Sequence, residues 1–182
     1  MTKKDLAETY QKALRLIETF GIKPKETKIM QVDVGFFLEY WQRKEKMDYN
    51  TAKFFAKHTF GVYDKQDDAI YILQGQERNL GLIIHEILHS STILDSKNSP
   101  KWISEGLVKA ITKEIMKNQE DIPIQNLYQK EYEDFWLEKL QKEKDKIINA
   151  FIASDLKTTE KILESDDLKN RLMKYIIKME RG

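Results

Sequence analysis

The sequence predicts an α+β domain, a short mixed sheet set among helices that make up most of the chain, on three observations. Apolar residues recur at three- and four-residue steps through most of its 182 residues, the period of amphipathic helices. Between residues 28 and 73 the pattern changes to alternation and to short β-prone runs. Glycine (7) and proline (3) are scarce while lysine and glutamate are abundant, a balance that favours long helices.

Taken in order, Leu6, Tyr10, Ala13, Leu14 and Ile17 form one stripe of a helix over Lys4 to Phe20, ended by Gly21 and Pro24. Lys28 to Val34 alternates apolar and polar residues and reads as a half-buried strand. Phe37, Tyr40, Trp41 and Lys44 space a second helix over Phe36 to Lys46. Thr59 to Tyr63 and Ala69 to Leu73 flank Asp64-Lys65-Gln66-Asp67-Asp68 as an antiparallel hairpin. A further helix follows from Asn79 to about Ser91, and Asp95 to Pro100 is turn chemistry. Pro100-Lys101 then opens a helix from Trp102 to about Lys117. Beyond a break at Gln119 to Pro123, the segments Gln125 to Asn149 and Leu156 to Met179 are charged, amphipathic and helical.

The length suits one domain with a real core. With 31 basic against 30 acidic residues the net charge is +1, so no global field steers the chain toward nucleic acid or an anionic membrane. No apolar run approaches the roughly 20 residues that cross a bilayer, and Met1 to Glu8 lacks the apolar core of a secretory signal. A cytoplasmic protein without nucleic-acid or membrane partners is expected. There is no cysteine, so a bound metal has to rely on histidine and carboxylate.

The chemistry concentrates in Gly81 to His89, an apolar helical run containing His85-Glu86-Ile87-Leu88-His89. Residues four apart differ by about 400° of helical rotation, so both imidazoles project from one face, one turn apart. They can hold a single Zn²⁺ at about 2.0–2.1 Å. Glu86 lies about 100° round from His85, beside the metal's open position, where its carboxylate can take a proton from water as general base. Two structural histidines on an amphipathic helix are the alternative. A catalytic zinc takes a third protein ligand, and His58, Asp95 and Glu105 are the residues from which it can come.

The pair His85-Glu86-Ile87-Leu88-His89 and Trp102-Ile103-Ser104-Glu105-Gly106 resembles the gluzincin clan of zinc metallopeptidases, in particular its small members with a Trp-x-x-Glu-Gly glutamate helix. The resemblance spans residues 28–117. It implies a zincin-like domain over 1–182, with an upper lobe (1–92) carrying sheet and active-site helix and a lower helical lobe (93–182). It implies peptide-bond hydrolysis with His85, His89 and Glu105 on Zn²⁺ and Glu86 as base. The hairpin resembles the clan's substrate-binding edge strand, which assigns Ile70, Tyr71, Ile72 and Leu73 to a peptide or protein substrate. Tyr128 and Tyr132 are candidates by position for a transition-state stabiliser.

Two departures bear on this. In the metzincins a glycine three residues after the second histidine turns the chain back toward a third ligand at the spacing of Asp95. Here Thr92 stands in its place, and a β-branched residue resists a left-handed backbone. Larger, thermolysin-like gluzincins carry an aspartate four residues beyond the glutamate ligand, where this chain has Lys109. A zinc-binding module that keeps the peptidase fold with little or no catalysis is therefore the second expectation, and the oligomeric state is left open.

Overall fold

In a computed structural model of the chain, residues 3–92, 101–117 and 130–153 are described. Helix α1 (Lys3–Thr19) buries the predicted stripe of Leu6, Tyr10, Ala13, Leu14 and Ile17. Gly21, at φ +99°, turns the chain off its end, a left-handed backbone that glycine adopts without a Cβ penalty. The Tyr10 hydroxyl donates to the Thr27 carbonyl (2.8 Å) and accepts from the Thr27 N–H (2.9 Å), tying α1 to the entrance of β1 (Lys28–Val32).

Strand β1 stops two residues short of the expected end because Asp33 caps α2 (Val34–Lys44), its carboxylate accepting from the Phe36 N–H at 2.8 Å. Helix α3 (Tyr49–His58) was not expected from the sequence. Asp48 caps it through the N–H groups of Asn50 and Thr51. Strands β2 (Gly61–Asp64) and β3 (Ala69–Leu73) form the expected hairpin. The histidine helix is α4 (Leu80–Ser90), followed by α5 (Lys101–Met116) and by α6 (Lys130–Ile152), which is kinked at Glu143. The expected breaks at Asp95 to Pro100 and Gln119 to Pro123, and the segment Leu156 to Met179, lie outside the described residues.

The three strands order as β1-β3-β2 in a mixed sheet, with β1 and β3 parallel and β2 and β3 antiparallel. Strand β3 is thus central, not an edge. Its run Ala69-Ile70-Tyr71-Ile72 is buried on both faces, as expected of an interior strand without polar alternation. Ile70 and Ile72 join the aliphatic core with α1 and α4, whereas Ala69 and Tyr71 pack with Phe37 of α2 and Ala56 of α3. The assignment of Ile70, Tyr71, Ile72 and Leu73 to substrate pairing is corrected accordingly, because their backbone groups already face strands on both sides.

The aliphatic core continues past the sheet. Leu107, Val108 and Ile111 of α5 and Leu140, Ile147 and Phe151 of α6 belong to the same buried cluster as Ile83, Ile84, Ile87 and Leu88 of α4. Among the described residues no helix is long and apolar enough to cross a membrane.

Candidate metal centre

The approach to α4 is a tight turn built around a buried carboxylate. Glu77, with no solvent exposure, accepts from the Gly75 N–H (3.0 and 3.1 Å) and from the Gln31 side chain of β1. Gly75 takes φ +95°, which a side chain would strain. Asn79 then caps the helix, accepting from the Leu82 N–H at 3.0 Å while its amide donates to Gln76. At the other end the Ser91 hydroxyl donates to the Ile87 carbonyl (2.7 Å) and accepts the Lys25 N–H (2.9 Å). Between these ends, every residue of α4 except His85 is buried.

His85 and His89 meet as the four-residue spacing predicts, with their Nε2 atoms 3.0 Å apart. Glu105, on the second turn of α5, joins them: its Oε2 lies 3.5 Å from His85 Nε2 and its Oε1 3.5 Å from His89 Nε2. A tetrahedral ion with bonds of about 2.0–2.1 Å holds its ligand atoms about 3.3–3.4 Å apart. One ligand atom from each of the three side chains lies within 4.8 Å of the others, so this group could hold a metal. It is also the group among the described residues whose ligand atoms lie together closely enough to do so.

Burial tends to raise the Glu105 pKa, but the adjacent His89 and His85 outweigh it and hold the carboxyl well below the usual carboxylate range. The group is a ready anionic ligand. Glu86 goes the other way. It is buried beneath β2, and burial raises its pKa; His85, His89 and the Tyr63 amide only partly oppose the rise.

Of the other two candidates for the third ligand, His58 points elsewhere. It is exposed at the end of α3, its Nδ1 2.7 Å from the Phe54 carbonyl and its ring packed against Phe54. Asp95 and Tyr128 lie outside the described residues, and Tyr132 is placed only as backbone in the first turn of α6. Lys109, one turn beyond Glu105, has its ammonium buried without a hydrogen-bond partner among the described residues. Burial pushes its pKa down, although the Glu105 charge opposes this.

The chain matches no protein-family model, curated protein or solved structure.

The sequence reading missed the contribution of β2. The register pairs Val62 with Tyr71 and Asp64 with Ala69, and the Leu73 N–H donates to the Phe60 carbonyl. The backbone groups of Gly61 and Tyr63 consequently face away from β3, along the outer margin of the sheet among the described residues. There the Tyr63 N–H donates to Glu86 Oε2 at 2.8 Å. The available signal was Gly61 itself, since a lone glycine in a β-prone run marks a close backbone approach.

Proposed function

We propose that the protein is a zinc-dependent peptidase of gluzincin type. The observation that carries this reading is the convergence of His85, His89 and Glu105, whose ligand atoms lie within 4.8 Å of one another, with the carboxylate of Glu86 buried beside them. An all-nitrogen-and-oxygen set of two imidazoles and one carboxylate matches the catalytic zinc sites that leave one position open. Zinc, when bound there, would acidify water and polarise a carbonyl.

Glu86 would take the proton as the water oxygen bonds to the scissile carbonyl carbon. It would then return that proton to the departing amine as the C–N bond breaks. A peptide would lie along the outer margin of β2, the edge strand of the sheet among the described residues, whose backbone reaches Glu86. This role passes to β2 from β3, whose two sides are already paired.

Incubation with a mixed peptide pool, with and without chelator, tests the reading. Chelator-sensitive cleavage is expected, and Glu86→Gln should keep stoichiometric zinc while losing roughly 10²–10⁴-fold in kcat, the usual contribution of a general base. Full activity in that variant would remove Glu86 from the role.

Lys109 favours a second reading. A buried ammonium without a hydrogen-bond partner among the described residues, one turn from Glu105, stands where thermolysin-like enzymes use a carboxylate to orient a histidine ligand, so a metal-binding module of peptidase fold without turnover is the alternative. Zinc binding without any chelator-sensitive cleavage would establish it.

A further inference from the structure

We infer that β2 is a positioning element for the base, in which the Tyr63 amide orients the Glu86 carboxylate and Gly61 lets the strand come close enough to do so. The inference rests on the peptidase reading.

Two independent observations carry it. The Tyr63 N–H belongs to the outward-facing set on the margin of the sheet, and its hydrogen bond goes to Glu86 Oε2 at 2.8 Å. The acceptor lies on another element, 23 residues further along the chain. The second observation is steric. A Cβ at Gly61 would lie 3.0 Å from Leu82 Cδ1, 3.1 Å from Ile72 Cδ1 and 3.3 Å from Glu86 Cγ. Gly61 and Tyr63, two apart on a strand, share one face, and that face rests on α4. Leu82 and Glu86 lie one turn apart on α4, so the methyl group of an alanine at Gly61 would press on the helix at the base itself.

The chemical consequence concerns orientation. A glutamate has three rotatable bonds and several staggered rotamers. A general base works only within hydrogen-bond reach of the proton it takes. With one carboxylate oxygen held by a backbone amide on a sheet margin, the other is left in a defined direction for water. The donor also has a register effect: because the Tyr63 N–H is engaged by Glu86, an added peptide strand finds no amide donor at that position. The base and the ladder of backbone bonds therefore meet opposite Tyr63.

The direct test replaces the Tyr63 N–H by oxygen, through incorporation of the α-hydroxy acid corresponding to tyrosine at position 63 in the full chain. Hydrogen bonds to charged groups contribute enough that losing one is expected to lower kcat about 10- to 100-fold. KM should stay within about twofold and zinc stoichiometry should be unchanged, since neither depends on the direction of Glu86. Gly61→Ala should show the same split between kcat and KM. Asp48→Ala, which weakens the distant cap of α3, is the control for lost stability and should leave kcat at the wild-type value.

A wild-type kcat in the ester variant overturns the inference while leaving the peptidase reading intact. So does a fall in kcat matched by Asp48→Ala at equal loss of Tm. Absence of chelator-sensitive hydrolysis in the wild type overturns both, and is recognised before any variant is made.

Discussion

The two faces of the sheet are built from different materials. Toward α4 the packing is aliphatic: Ile70 and Ile72 share one buried cluster with Leu82, Ile83, Ile84 and Ile87. Toward α2 and α3 they are aromatic. Phe36 lies 4.5 Å from Tyr71 between ring centroids, Tyr40 5.2 Å from Trp41, and Trp41 5.6 Å from Phe55. This second layer thins toward solvent, where Phe54 is 61% and Tyr49 54% exposed. The histidine helix α4 sits on the aliphatic side, where close packing leaves side chains little freedom to shift. The difference separates a face that holds the site from a face that completes the fold.

Variants on the two faces should therefore differ in what they do to the site. Phe37→Ala empties the largest fully buried position of the aromatic face and is expected to cost about 3–5 kcal/mol, read as a drop in Tm. The folded fraction should bind zinc as the wild type does. Ile87→Ala, between the two histidines, is expected to cost about 2–5 kcal/mol and to weaken zinc binding as well. Equal zinc affinities in the two variants would break the distinction.

Acid should act on the aromatic side through Asp64. Burial opposes its ionisation, but the Lys44 ammonium at 3.0 Å and the amides of Asp67 and Gln66 win, so its pKa is lowered. A carboxyl with a depressed folded-state pKa contributes stability that is present above its unfolded value of about 3.9 and lost as pH falls through the folded one. Urea unfolding at pH 6 and pH 3 should show a smaller acid loss for Asp64→Asn than for the wild type.

Smaller effects sharpen the same contrast. Asn79→Ala removes the cap of α4 and should cost about 1 kcal/mol, whereas Phe54→Ser, at the exposed end of the aromatic layer, should stay within about 0.5 kcal/mol of wild type.

The contrast also explains what the sequence made legible. Helix α4 is legible because its apolar run, its Asn79 cap and its two histidines all obey one helical period. Helix α3 escaped notice because its pattern is inverted. It turns only the small residues Ala52 and Ala56 fully inward and leaves Phe54 and Phe55 exposed, so no apolar stripe of the usual kind marks it. The Asp48 cap alone was the signal. The place of β3 in the middle of the sheet depends on its parallel pairing with β1, a contact between stretches about forty residues apart. Local periodicity carries no information about such a partner, although the unbroken apolar run of β3 was consistent with burial on both faces. Glu105 came from motif resemblance, and its approach to the two histidines is a tertiary fact that neither helix encodes alone. The Tyr63 amide belongs to the backbone, so no side-chain motif could announce it.

The central claim is that α5 completes with Glu105 the site that α4 begins with His85 and His89. Calorimetric zinc titration of the wild type, Glu105→Ala and Asp95→Ala tests it most directly. The wild type and Asp95→Ala are expected to bind one zinc per chain with equal affinity, and Glu105→Ala to lose more than the roughly 10- to 100-fold typical of an outer-sphere partner. Retained affinity in Glu105→Ala together with a loss in Asp95→Ala would contradict the account.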